Sequence, residues 1–287
     1  PAAPRAATTP PLRMNTLTPF VLFLIACLAG CAGARTADDA DATPRIVTEE
    51  VRYRAGDADC VGWLAYDANR AGPRPGVLVV HEWWGHNDYV RRRAEMLAQL
   101  GYTALALDMY GDGKRAAHPE DAQQFAREVM GNMAAGVARF EAARTLLEAH
   151  PSTDPERTAA IGYCFGGAIV LAMARRGADL DAVASFHGSL ATDSPAQQGA
   201  VKSQVLICHG AKDALVPLAD LQAAEEELMV GGAPLVETLI LNDAQHGFTN
   251  PDATALGERF GLPLAYDAKA DQMSWDALQE FLAEAFR

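Results

Sequence analysis

The six-residue stretch Gly162-Tyr163-Cys164-Phe165-Gly166-Gly167 constrains this chain more than any other. An apolar run from Thr158 to Ile161 leads into it, and a second from Ala168 to Ala174 leads out. That is a strand, a glycine-tight turn and a helix, with cysteine at the centre of a G-x-nucleophile-x-G elbow. Geometry demands the glycines. The central residue sits on a strained turn, and side chains beside it would strike the adjoining strand and helix. A thiolate at the first turn of a helix is also favoured by the helix dipole. The alternative is a buried structural cysteine in a tight strand–helix junction.

Two later signals bear on that choice. Gln204 to Cys208 reads as a strand, and His209-Gly210-Ala211-Lys212-Asp213 follows it. Leu235 to Leu241 reads as another, followed by Asn242-Asp243-Ala244-Gln245-His246-Gly247-Phe248. Cys164, Asp213 and His246 therefore come in the chain order nucleophile, acid, histidine, that of the α/β-hydrolase triad. Each lies just past the C-terminal end of a predicted strand, where open α/β sheets place their sites. Taken singly, Asp213 reads equally well as a turn-capping residue and His246 as an exposed loop histidine.

These segments resemble the dienelactone hydrolase family. The likeness begins at Val77-Leu78-Val79-Val80-His81-Glu82-Trp83-Trp84-Gly85. It continues through Gly101-Tyr102 and Leu107-Asp108-Met109-Tyr110 to the cysteine elbow, His209-Gly210 with Asp213, and His246-Gly247-Phe248, covering roughly Val51 to Arg287. It implies a single α/β-hydrolase domain that opens ester or lactone bonds through a Cys-His-Asp triad, with neither metal nor cofactor. Cys164 is the expected nucleophile, forming a thioester. His246 is the acid and base, and Asp213 orients it. The backbone N–H groups of Phe165 and Trp83 are the expected oxyanion donors. Glu82 is a carboxylate directly after a buried strand, which is costly without a partner. In the family the matching glutamate contacts the thiol and helps to activate it, so Glu82 joins the expected catalytic set. Trp84, Tyr110 and Phe248 are the expected pocket aromatics, with packing under long loops as the alternative.

The chain departs from the family where substrate charge is read. Dienelactone hydrolases bind a substrate carboxylate with two arginines, one soon after the D-L-Y element and one four residues after the histidine. Here Asp108-Met109-Tyr110 is followed by Gly111-Asp112-Gly113, and Asn250 lies four after His246. Lys114 and Arg115 stand nearby in a different register. A bidentate arginine clamp is not replaced by lysine or asparagine, so uncharged esters or lactones are the expected substrates. An acyltransferase on the same thioester chemistry is one alternative. A non-enzymatic thiol sensor or binding protein is another, though a sensor needs no oriented base.

The N-terminal part reads differently. Phe20 to Gly30 is an apolar run too short to span a bilayer. It ends in Leu28-Ala29-Gly30-Cys31, which resembles a bacterial lipoprotein signal, with Met14 as the natural start. The likeness implies cleavage before Cys31, acylation of Cys31 and, with Ala32 next, the periplasmic face of the outer membrane. An ordinary secretory signal, leaving a soluble periplasmic enzyme, is the alternative. The expected domains are 1–30 as cleaved signal, 31–45 as lipidated tether and 46–287 as catalytic domain.

A net charge of −13 over 287 residues argues against nucleic acid or anionic membrane surfaces as partners. Membrane association is expected only through the anchor, and a monomer is expected. Cys60 and Cys208 fall in predicted strands as free apolar residues, with a disulfide between them as the alternative. Strands are predicted near 46–54, 59–66, 76–81, 102–108, 158–162, 182–187, 204–209 and 235–241. Helices are predicted near 88–100, 119–149 (kinked at Gly131 or Gly136), 166–176, 217–230 and 270–286. The first two strands should pair antiparallel at a sheet edge. The rest should be mostly parallel, with helices on both faces of the sheet.

Overall fold

A computed structural model describes residues 43–287. The predicted signal (1–30), the lipidation site Cys31 and the tether up to residue 42 lie outside the described residues.

Among the described residues eight strands form one sheet: β1 (Ile46–Ala55), β2 (Ala58–Asp67), β3 (Arg74–Val80), β4 (Thr103–Leu107), β5 (Thr153–Tyr163), β6 (Ala182–Phe186), β7 (Gln204–Gly210) and β8 (Val236–Leu241). The spatial order is β1-β2-β4-β3-β5-β6-β7-β8. β1 and β2 form a hairpin in full register from Ile46↔Asp67 to Ala55↔Ala58, closed by Gly56 at φ +62°. β2 meets β4 antiparallel, and every later pairing is parallel. The chain steps from β3 to β4 on one side, then crosses to β5 on the other. The order therefore reverses between β3 and β5, the crevice where open α/β sheets carry their sites. His81 and Glu82 leave the end of β3, and Cys164 leaves the end of β5.

Two-residue alternation along the strands builds a core on each face. Val77, Val79, Ala159, Ile161 and Leu206 point to one side, where Val90, Ala94 and Leu97 of α1 (Asp88–Gln99) and Leu278 and Phe281 of α7 (Ala268–Ala285) cover them. Leu78, Val80, Ala160, Val205 and Ile207 point to the other. There they meet Phe140 and Leu147 of α3 (Met133–Glu148), Ile169 and Met173 of α4 (Phe165–Arg175), and Leu221 and Leu228 of α5 (Leu218–Val230). Cys60 and Cys208 are both free and buried, one in each core. The sheet stands between them, which rules out the disulfide alternative.

Two expectations need correction. The single kinked helix over 119–149 is two helices, α2 (Pro119–Gly131) and α3. They divide at Asn132 (φ −132°, ψ 66°), whose side-chain oxygen accepts from the Ala135 N–H at 3.3 Å and caps α3. Gly136 is buried inside α3 rather than at a kink. The sequence reading also missed α6 (Ala253–Phe260). Of its eight residues only Ala253 and Gly257 are buried, which leaves almost no apolar periodicity to read.

Candidate active site

Cys164 sits at the N-cap of α4 with φ +52° and ψ −114°. This left-handed backbone costs on the order of 1–3 kcal/mol in a non-glycine residue and persists only where its surroundings over-determine it. The surroundings are visible. A Cβ on Gly162 would collide with the Gly166 carbonyl, and one on Gly166 would collide with the Val80 carbonyl. The elbow thus closes by direct backbone approach of β5, α4 and β3. The Cys164 N–H donates to the Phe186 carbonyl at 3.0 Å, pinning the turn to β6.

The half-buried thiol meets His246 Nε2 at 3.1 Å, and His246 Nδ1 meets Asp213 Oδ2 at 2.8 Å. The other Asp213 oxygen accepts from the N–H groups of Leu215 (2.8 Å) and Val216 (3.0 Å). Burial pushes the Asp213 carboxyl up, but His246 and those two amides outweigh it and hold it below its ordinary value. Burial likewise disfavours a charged His246. The negative charge on Cys164 and the bond to Asp213 win, raising its pKa from 6.5 to about 10.

Glu82 is buried. Its Oε2 accepts from Asn250 Nδ2 at 2.6 Å, and among the described residues its carboxylate has no bond to the thiol. The expected contact with Cys164 is replaced by one with Asn250, at the position where the family carries arginine. Desolvation dominates over the Asn250 bond and the charge of His246, and lifts the carboxyl from 4.5 to about 7. Across that window the folded chain holds a proton that the unfolded chain has released, so stability falls as pH rises and then levels off. Glu82→Gln removes this loss. Its advantage over the parent in urea unfolding is expected to grow by about 3 kcal/mol between about pH 4.5 and pH 8. A constant difference would show that Glu82 ionises as an ordinary carboxyl.

Of the two expected oxyanion donors, Phe165 directly follows Cys164 and Trp83 lies in the loop after β3. Phe165 is the first residue of α4, so its N–H has no acceptor within the helix. The N–H of Trp83 is aimed indirectly. The preceding carbonyl, of Glu82, accepts from His81 Nδ1 (2.6 Å) and from the Gly85 N–H (3.1 Å), and the trans peptide turns the Trp83 N–H the opposite way. His81 Nε2 accepts from the Met109 N–H at 3.2 Å, which assigns the ring proton to Nδ1.

Tyr110 is buried against His81 and Phe165, and its hydroxyl donates to the Trp83 carbonyl at 3.0 Å. Trp84 is buried between Trp83 and Phe260. Phe248 is not a pocket wall. The chain turns inward at Gly247 (φ +76°) and packs Phe248, wholly buried, in the core against His187. Trp83 is half-buried, whereas Trp84, Tyr110 and Phe248 are buried.

Several site-building residues escaped the sequence reading. Asp108 accepts from the N–H groups of Tyr110, Gly111 and Gly113 at 2.8–3.0 Å and from Val61 at 3.3 Å, anchoring the loop after β4. The Asp followed by two glycines was the available signal. Arg93, His187 and Thr249 carried none.

The dienelactone hydrolase family model matches residues 62–286. Carboxymethylenebutenolidase from Pseudomonas putida is 26% identical over 215 residues, covering 73% of this chain and 89% of that protein. Among solved structures, the dienelactone hydrolase-like promiscuous phosphotriesterase P91 from metagenomic libraries is 38% identical with a TM-score of 0.77. The protein m3DLH is 37% identical with a TM-score of 0.79. Each alignment covers 84% of this chain and 99% of the other.

Proposed function

We propose that this chain, a hydrolase that belongs to the dienelactone hydrolase family, cleaves uncharged carboxylic esters or lactones through a thioester on Cys164. The observation that carries the reading is the continuous row Asp213–His246–Cys164, with contacts of 2.8 and 3.1 Å.

His246 Nε2, 3.1 Å from the thiol, takes its proton and leaves a thiolate beside an imidazolium. The thiolate attacks the acyl carbonyl, and the oxyanion is received by the N–H groups of Phe165 and Trp83. As the tetrahedral centre collapses, His246 Nε2 gives its proton to the leaving alkoxide and the thioester remains. His246, now neutral, takes a proton from water, and the hydroxide attacks the thioester carbonyl. Collapse expels the thiolate, releases the acid and restores the ion pair. Asp213 holds Nδ1–H throughout, so that Nε2 always faces the reacting atoms.

Preference for uncharged substrates rests on what occupies the family's arginine positions. The Asn250 amide is spent on Glu82. Arg115 turns to Asp88 at 3.6 Å, and Lys114 is exposed. A neutral aryl acetate or unsubstituted lactone is therefore expected to show kcat/KM at least about tenfold above dienelactone, whose carboxylate lacks its charge-assisted partner. Faster turnover of dienelactone would overturn the preference. A neutral aryl phosphotriester belongs in the same panel because of the likeness to P91.

A further inference from the structure

Behind His246 lies a buried hydrogen-bonded row that the mechanism above does not use. The Thr249 hydroxyl is 2.7 Å from His187 Nε2 and 2.6 Å from the Tyr89 hydroxyl. Tyr89 comes from α1, and His187 follows β6 with no exposed surface and a backbone φ of +40°. The His187 ring packs edge to face on His246, with centroids 5.2 Å apart and planes at 64°. The Thr249 carbonyl accepts from an Arg93 terminal nitrogen at 2.6 Å, and that nitrogen also donates to Asp271 at 2.6 Å. The residue three after His246 is thus tied by both side chain and backbone to distant elements.

We propose that Thr249 is a positioning residue for the His246 imidazole and acts through His187. The proposal rests on the reading of Cys164 and His246 as nucleophile and base. The bonds of His246 to Asp213 and Cys164 leave from Nδ1 and Nε2, on opposite sides of the ring. Two such bonds fix the line between the nitrogens but resist rotation about it only weakly. The His187 ring supplies the out-of-plane stop.

The His187 ring is in turn held by one hydrogen bond, that to Thr249. Its Nδ1 is buried and has no partner among the described residues. Burial first, and the charge of His246 second, keep the imidazole neutral, with a single N–H. An orphaned buried N–H is costlier than an unpaired acceptor, which places the proton on Nε2. Nε2–H then donates to Thr249 Oγ1, which also shares a hydrogen bond with the Tyr89 hydroxyl. Removing the hydroxyl strands the only N–H of a ring already on a strained backbone, and the stop behind His246 loosens.

The test compares Thr249→Val with Thr249→Ser in the full chain. Each is assayed for kcat and KM on a neutral aryl acetate, for thermal unfolding, and for peptide-resolved alkylation of Cys164 by iodoacetamide. For valine, kcat is expected to fall about 10- to 100-fold with KM within about twofold, and the alkylation rate to change with it. Serine, which keeps the hydroxyl, is expected to restore kcat to within about threefold of the parent. An unchanged kcat in Thr249→Val overturns the proposal, as does a loss of kcat in both variants that tracks their melting temperatures. Parental turnover in Cys164→Ala rejects the underlying reading and this proposal together. Loss of turnover there, with Thr249→Val unaffected, rejects only the positioning role.

Discussion

Cys164→Ala is expected to lower kcat/KM on a neutral aryl acetate by about four orders of magnitude or more and to abolish the burst of leaving group. Alanine keeps a Cβ at the same φ of +52°, so the substitution adds no backbone strain to the elbow. The thiol is half-buried, and its loss costs about 1 kcal/mol or less of stability. The variant therefore folds, and the comparison reads chemistry alone. The other two cysteines among the described residues are buried in separate cores and offer no substitute nucleophile. Rapid-mixing kinetics with the aryl ester, and the mass of the quenched parent enzyme carrying one acetyl group on the Cys164 peptide, provide the check. Equal rates in parent and variant would remove Cys164 as nucleophile and restore the sensor or binding alternative.

Asp213→Asn is expected to lower kcat by about 10³- to 10⁴-fold while leaving the site folded. The reason lies in how the two carboxylate oxygens are used. Oδ1 accepts from the N–H groups of Leu215 and Val216, so an amide NH₂ cannot face them without opposing donors. The asparagine oxygen must take that side, and its NH₂ must face His246 Nδ1 at the 2.8 Å contact. Nδ1 then becomes the acceptor and the ring proton moves to Nε2. A neutral ring in that tautomer cannot take a proton from the Cys164 thiol. The imidazolium also loses one of the negative partners that raise its pKa, so the midpoint of His246 titration moves down from about 10. Steady-state kinetics and NMR titration of the ring would show both effects. A variant with parental kcat would mean that His246 needs no orienting acid.

Much of this was legible because it is local. Each of the eight strands overlaps a predicted one, and the ends of β3, β5, β7 and β8 carry the residues that the fold gathers. The elbow glycines announced themselves because sterics at a strand–helix junction leave no other residue type. The break at Asn132 was harder to see. The flanking helices carry one continuous pattern, and the asparagine cap that divides them is a single residue. Phe248 was misread because its position beside His246 suggested a site role. Whether an aromatic faces a pocket or a core depends on how the loop turns, and Gly247 turns it inward.

The sequence by itself determined the strand order along the chain, the strained turn and the identity of three residues at strand ends. Each of these follows from side-chain periodicity or sterics within a few neighbours. Only the tertiary structure decided what surrounds them. Asn250 reaches Glu82 across 168 residues, Tyr89 reaches Thr249 across 160, and Thr249 reaches His187 across 62. Such bonds have no local signature, because a hydroxyl or amide is equally at home in water until packing of the sheet and its helices removes the water and leaves one partner within reach.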